Sequence, residues 1–186
     1  MRNKQKQKGF SLIELLIVVA IILIIAAIAI PNLIRSRMAA NEASAVTTLR
    51  TLTTAFVTYS TTYGNGMPPI LTALRNPPVN TPPDCGTAGA GLVDDVLAAV
   101  APNTTVSTTS FTKSGYTFTY VPGADVLPKM PGGVGCVAPG SGTATVGAIP
   151  ISIGGTGQRG FLIDNSGVIY FTINGTLPIP ASSPVL

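Results

Sequence analysis

Apolar residues fill the chain almost without interruption from Phe10 to Ile30, then recur at helical spacing as far as Tyr63. From Leu15 to Ile30 every residue is apolar. With Phe10 to Ile13 the run reaches the roughly 20 residues that a membrane-spanning helix needs. One carboxylate, Glu14, interrupts it, and a carboxylate there is costly unless it finds a partner. Beyond Pro31-Asn32, the residues Ala45, Leu49, Leu52, Phe56, Tyr59 and Tyr63 follow alternating steps of four and three, one apolar face of a helix. Gly64-Asn65-Gly66 supplies a stop signal, with Pro68-Pro69 just beyond. The pattern predicts a single helix from about Ser11 to Tyr63, lipid-buried in its first half and amphipathic in its second. Pro31 removes one backbone donor and would kink or loosen it; two helices broken at Pro31 are the alternative.

The rest of the chain reads as a small sheet with long loops. The region 64–114 is loosely patterned, with Pro-Pro pairs at Pro77 and Pro82 and room for a short helix from Leu92 to Val100. Asp94 and Asp95 there read as a solvated face. Alternation in Tyr116-Thr-Phe-Thr-Tyr120 predicts a strand near 115–121. Two more strands, near 160–164 and 168–173, flank the hairpin turn Asp164-Asn-Ser-Gly167. The Gly/Pro-rich connection from Pro122 to Gly157 reads as a surface loop, with room for a strand at Ala148 to Ile153. The fold class is α+β: a long amino-terminal helix packed on an antiparallel sheet of three to four strands. The stripe Leu49, Leu52, Phe56, Tyr59 and Tyr63 would cover the sheet. Four segments follow: a leader 1–9, an apolar helix half 10–30, an amphipathic half 31–63 and a head 64–186.

Charge sharpens this picture. Arg2, Lys4, Lys6 and Lys8 precede the apolar run, and without them seven charges of each sign remain. The excess of positive charge therefore marks a targeting head, one that keeps the amino end in the cytoplasm. Arg35 and Arg37 on the far flank oppose it weakly. Lys113, Lys129 and Arg159 are too dispersed to form a basic stripe, so no nucleic-acid partner is expected. The chain has no histidine, which removes the commonest general base and metal ligand. Gly154-Gly-Thr-Gly157 is too short for a phosphate loop and has no downstream Lys-Ser/Thr. No enzyme activity, cofactor or metal is expected. Asn103-Thr-Thr105 and Asn174-Gly-Thr176 match the glycosylation sequon but read as surface turns. Cys85 and Cys136 are the two cysteines. In an oxidising compartment a bond between them is expected, with two unpaired thiols as the alternative.

The segment Lys8-Gly9-Phe10-Ser11-Leu12-Ile13-Glu14-Leu15, followed by the apolar run and Pro31-Asn32-Leu33, resembles the type IV pilin superfamily of pilins and type II secretion pseudopilins. The resemblance is close over about the first 60 residues and loose beyond. It implies cleavage by a membrane prepilin peptidase between Gly9 and Phe10, and methylation of the new amine of Phe10. It implies that Glu14 is the assembly glutamate, pairing with the terminal amine of a neighbouring subunit. Pro31 matches a proline near which the helix loosens during assembly. The implied partners are the peptidase/methylase, an inner-membrane assembly platform, and copies of the chain or other pilins in a helical filament. The implied location is the bacterial inner membrane, single-pass with the head periplasmic, and then the filament.

Within that superfamily a pilus subunit is favoured over a secretion pseudopilin. The latter commonly carries a tryptophan motif and a carboxyl-terminal calcium site. This chain has no Trp, and Asp164 is its only acid after Asp125. A conventional secretory signal cut after Ala29, releasing a soluble domain from Ile30, is the remote alternative. Ala27-Ile28-Ala29 satisfies the small-x-small rule, but no polar region precedes the cut and Pro31 lies just beyond it.

Overall fold

The computed structural model describes residues 10–64, 66–77, 89–98, 109–123, 140–180 and 183–186. The chain divides into two compact units, Met1–Arg37 and Met38–Leu186. One helix, α1 (Leu12–Tyr63), runs through both and contains Pro31. Pro31 has no N–H to donate to the carbonyl of Ala27, yet the helix is assigned without a break. In the first unit no described side chain is buried.

The second unit is an antiparallel sheet against the rest of α1. Its strands are β1 (Ser110–Lys113), β2 (Tyr116–Pro122), β3 (Ala144–Pro150), β4 (Gly160–Ile163) and β5 (Ile169–Thr172), lying side by side in chain order. Five strands stand where three to four are expected from the sequence. β1 is short, and only Phe111 in it is buried, so it has too little alternation to announce itself. β3 lies inside the stretch read as a loop, in the centre of the sheet and slightly earlier than Ala148–Ile153. Its middle residues, Gly147 and Ala148, are small and buried. The side chain of Leu177 lies so close over Gly147 that a Cβ there would come within 2.4 Å of it. On the opposite face, register places Phe111, Phe118, Ala148, Phe161 and Phe171 in one row across all five strands.

That row and its neighbours Tyr120, Val146 and Ile163 form one hydrophobic core with Leu49, Leu52, Phe56 and Tyr59 of α1. Phe56 meets Tyr120 at 5.4 Å between ring centroids, and Phe111 stacks on Phe118 at 4.8 Å. The hydroxyl of the buried Tyr120 donates to the carbonyl of Pro68, fixing the segment after α1. Residues 94–98 form a single turn rather than the short helix expected from Leu92: Asp94 Oδ1 accepts the N–H of Leu97 at 2.9 Å. Ala99 and Val100 lie outside the described residues. The β4–β5 turn closes as its composition predicts. Asp164 Oδ1 accepts the N–H of Ser166 at 2.9 Å, and Gly167 adopts φ +76°, a conformation that favours glycine.

Candidate functional site

The start of α1 is built as a helix cap. Ser11 precedes the first helical residue, and its N–H donates to Glu14 Oε2 at 2.9 Å. Its carbonyl accepts the N–H of Glu14 and Leu15 at 3.1 and 3.3 Å. This is the reciprocal half of a capping box, in which a glutamate at the third helical position satisfies the cap residue's own N–H. The signal Ser11-x-x-Glu14 is present in the sequence, although the apolar pattern alone does not bring it out. The carboxylate also lies at the positive end of the helix dipole, where negative charge is favoured. Glu14 Oε1 has no partner among the described residues, so it can accept a further donor while the cap remains.

Around this carboxylate the helix is bare. Its most apolar 18-residue window has no buried residue, and by length and composition it can cross a membrane. Leu12, Leu15, Leu16, Val19 and Leu23 line a shallow, wholly apolar concavity along one face. Phe10, at the head of the run, is exposed. Gly9 lies outside the described residues, as do Cys85 and Cys136. The structure thus sets Phe10 and Glu14 within about one turn of each other. Leu49, Leu52, Phe56 and Tyr59 are buried in the second unit, while Tyr63 is partly buried with its ring 5.0 Å from that of Tyr59.

A second polar cluster, in the second unit, has no local sequence signal. Glu42 is only 8% exposed. Its Oε1 accepts the N–H of Gln158 at 2.9 Å and of Arg159 at 3.2 Å, and its Oε2 accepts Nε–H of Arg159 at 2.7 Å. Burial works against the charged carboxylate, but these donors outweigh it and hold its carboxyl below the usual carboxylate range. Beside it, Asn41 Nδ2 donates to the carbonyl of Thr156 at 2.9 Å. Tyr116 donates to the carbonyl of Arg159 at 2.9 Å, and burial pushes its hydroxyl above the ordinary phenol value. The cluster clamps the β3–β4 loop to α1 and is structural.

Comparisons with known proteins concern the amino-terminal part. Residues 4–30 match the family described as "Prokaryotic N-terminal methylation motif". The chain is 52% identical over 54 residues to the "Type IV major pilin protein PilA" of Myxococcus xanthus, covering 29% of this chain and 24% of that protein. It is 62% identical over 42 residues to the "Type IV wide pilus major component PilA4" of Thermus thermophilus, covering 23% of this chain and 30% of that protein. The matched region thus spans less than a third of either relative. No solved structure matches the chain. In its methylation motif and the helix that carries it, the amino-terminal part of the chain is similar to type IV pilins.

Proposed function

We propose that the chain is a structural subunit of a type IV pilus-like filament and acts by assembly rather than catalysis. It inserts in the inner membrane with its amino end in the cytoplasm, and a prepilin peptidase cuts it after Gly9. The amine of Phe10 is methylated, and an inner-membrane platform draws the subunit into a helical filament. The observation that carries this reading is the first half of α1, whose exposed apolar surface encloses one capped carboxylate. In lipid those side chains are satisfied. In water each large aliphatic loses roughly 1.5–3 kcal/mol relative to burial, so extraction from the membrane drives the helices into a bundle.

Apolar packing sets no register, so a directional contact is needed. Cleavage creates it: the new amine of Phe10 stays cationic when methylated, and a carboxylate in a low-dielectric bundle is stabilised by a cation. Glu14 Oε1 would receive the amine of a neighbouring subunit while Oε2 keeps the cap. Both relatives are named as pilus components, which favours a pilus over a secretion pseudopilus.

Glu14→Gln separates the two roles, because glutamine at this position still accepts the Ser11 N–H but carries no charge. Membrane insertion and processing should be retained and filaments lost. Normal filaments from Glu14→Gln would refute the ion pair.

A further inference from the structure

Within the second unit, a groove of about 470 Å³ runs between α1 and the start of β4. Ala43, Val46 and Arg50 face it from α1, and Arg159, Phe161 and Leu186 from the other side. Its volume is within the range of ligand clefts. Two guanidinium groups border it, and most of their donors are unspent. Arg159 gives its Nε–H to Glu42 at 2.7 Å; its Nη groups and the guanidinium of Arg50 have no partner among the described residues. Arg159 is also held in place, its guanidinium carbon 5.8 and 5.9 Å from the ring centroids of Phe161 and Phe171. The remaining donors are therefore preorganised. Glu42 balances one of the two cations, which leaves net positive charge beside an apolar wall. Such a groove fits a carboxylate carried on a small apolar body.

The same unit presents that chemistry on another surface. Among its described carboxylates, Glu42 is taken by Arg159, and Asp164 by its own turn. Asp94 and Asp95 are exposed, and Val96 beside them is 52% exposed. The buried Leu97 and Ala98 root this turn in the core. Its approach is fixed as well, because the carbonyl of Leu74 accepts the N–H groups of Leu92 and Val93 at 3.0 and 3.1 Å. That segment is tied through Pro68 to Tyr120, near the finish of β2, whereas Arg159 is tied to Tyr116 at its start. The two surfaces do not meet within one copy: the one ion pair among the described residues is Glu42–Arg159. Resting on the filament reading, we propose that the Asp94–Val96 turn of one copy docks in the Arg50–Arg159 groove of the next. Val96 lies against Val46 and Leu186, and the carboxylates accept the unspent donors of the two arginines. Joining two different patches gives a contact that repeats from copy to copy. Exposed charge pairs of this kind contribute register and specificity more than stability.

The test uses the full chain in cells that assemble it, with sheared filaments quantified against total subunit by immunoblot. Arg50→Glu and Asp95→Arg should each lower the filament fraction at least about tenfold, and the double variant should recover to within about threefold of wild type. Both side chains are exposed, so the amount of subunit in the membrane should not change. A second measurement reads the contact directly. Filaments of Arg50→Lys, built from mixed light and heavy-nitrogen subunits, are treated with a carbodiimide. A mixed-isotope cross-link between position 50 and Asp94 or Asp95 is expected. Normal assembly of either single variant overturns the inference and leaves the filament reading intact, as does a double variant no better than the singles. Cross-links from position 50 that join only other carboxylates, or only atoms of one copy, overturn it too. Wild-type chain that forms no filaments removes the filament reading and the inference with it.

Discussion

Replacing Glu42 by alanine removes the acceptor of three donors at once: the N–H groups of Gln158 and Arg159 and Nε–H of Arg159. Each backbone N–H left without a buried acceptor costs about 1–3 kcal/mol, less where water can reach it. The guanidinium adds little, because the Arg159 side chain is 41% exposed and can be solvated. Releasing a buried carboxylate offsets part of the loss. The expected destabilisation of the head is therefore about 2–4 kcal/mol. Glu42→Gln, which keeps one acceptor and loses the charge, should cost about 1–2 kcal/mol. Urea unfolding of the full chain in detergent micelles, followed by tyrosine near-ultraviolet circular dichroism, reads both values. The sign of the pH dependence also follows. The folded carboxyl is held below its ordinary value of 4.5, so its contribution is complete above that pH and is lost as pH falls through the lower folded value. The stability gap between wild type and Glu42→Gln should close in that acid window. A Glu42→Ala variant within about 0.5 kcal/mol of wild type, or a gap that does not change with pH, would refute the clamp.

Leu52 is fully buried between α1 and the sheet, so Leu52→Ala should cost about 2–5 kcal/mol in the same unfolding assay; the half-exposed Val57 on the same helix serves as control, changing by no more than about 0.5 kcal/mol as Val57→Ala. A Cβ on Gly160 would lie 2.0 Å from the carbonyl oxygen of Thr176. Backbone must move to admit it, and Gly160→Ala should cost about 1–3 kcal/mol, measured as a lowered urea midpoint.

The parts of this fold legible in the sequence are those whose signals are local and repeated. α1 declares itself by an unbroken apolar run and then by steps of four and three from Ala45 to Tyr63. The β4–β5 hairpin does so through Asp164 and Gly167, whose side chain and backbone freedom make the turn on the spot. β3 does not, because three of its buried positions are the small residues Ala144, Gly147 and Ala148, which carry little alternation. β1 is four residues long with one core side chain. The Glu42 clamp is illegible for another reason: its partners are 116 and 117 residues away, and nothing near Glu42 distinguishes it from a solvated glutamate. At Glu14 the order of difficulty reverses. Its isolation in the apolar run is plain, whereas its capping of Ser11 emerges from geometry.

The claim that this chain is a filament subunit cut between Gly9 and Phe10 is tested most directly at its mature amino terminus. Filaments or membranes from cells producing the full chain are digested, and the terminal peptide is identified by mass spectrometry. The account predicts a chain beginning at Phe10 with one added methyl group on its amine. A chain beginning at Ile30, or one still carrying residues 1–9 in assembled material, would contradict it.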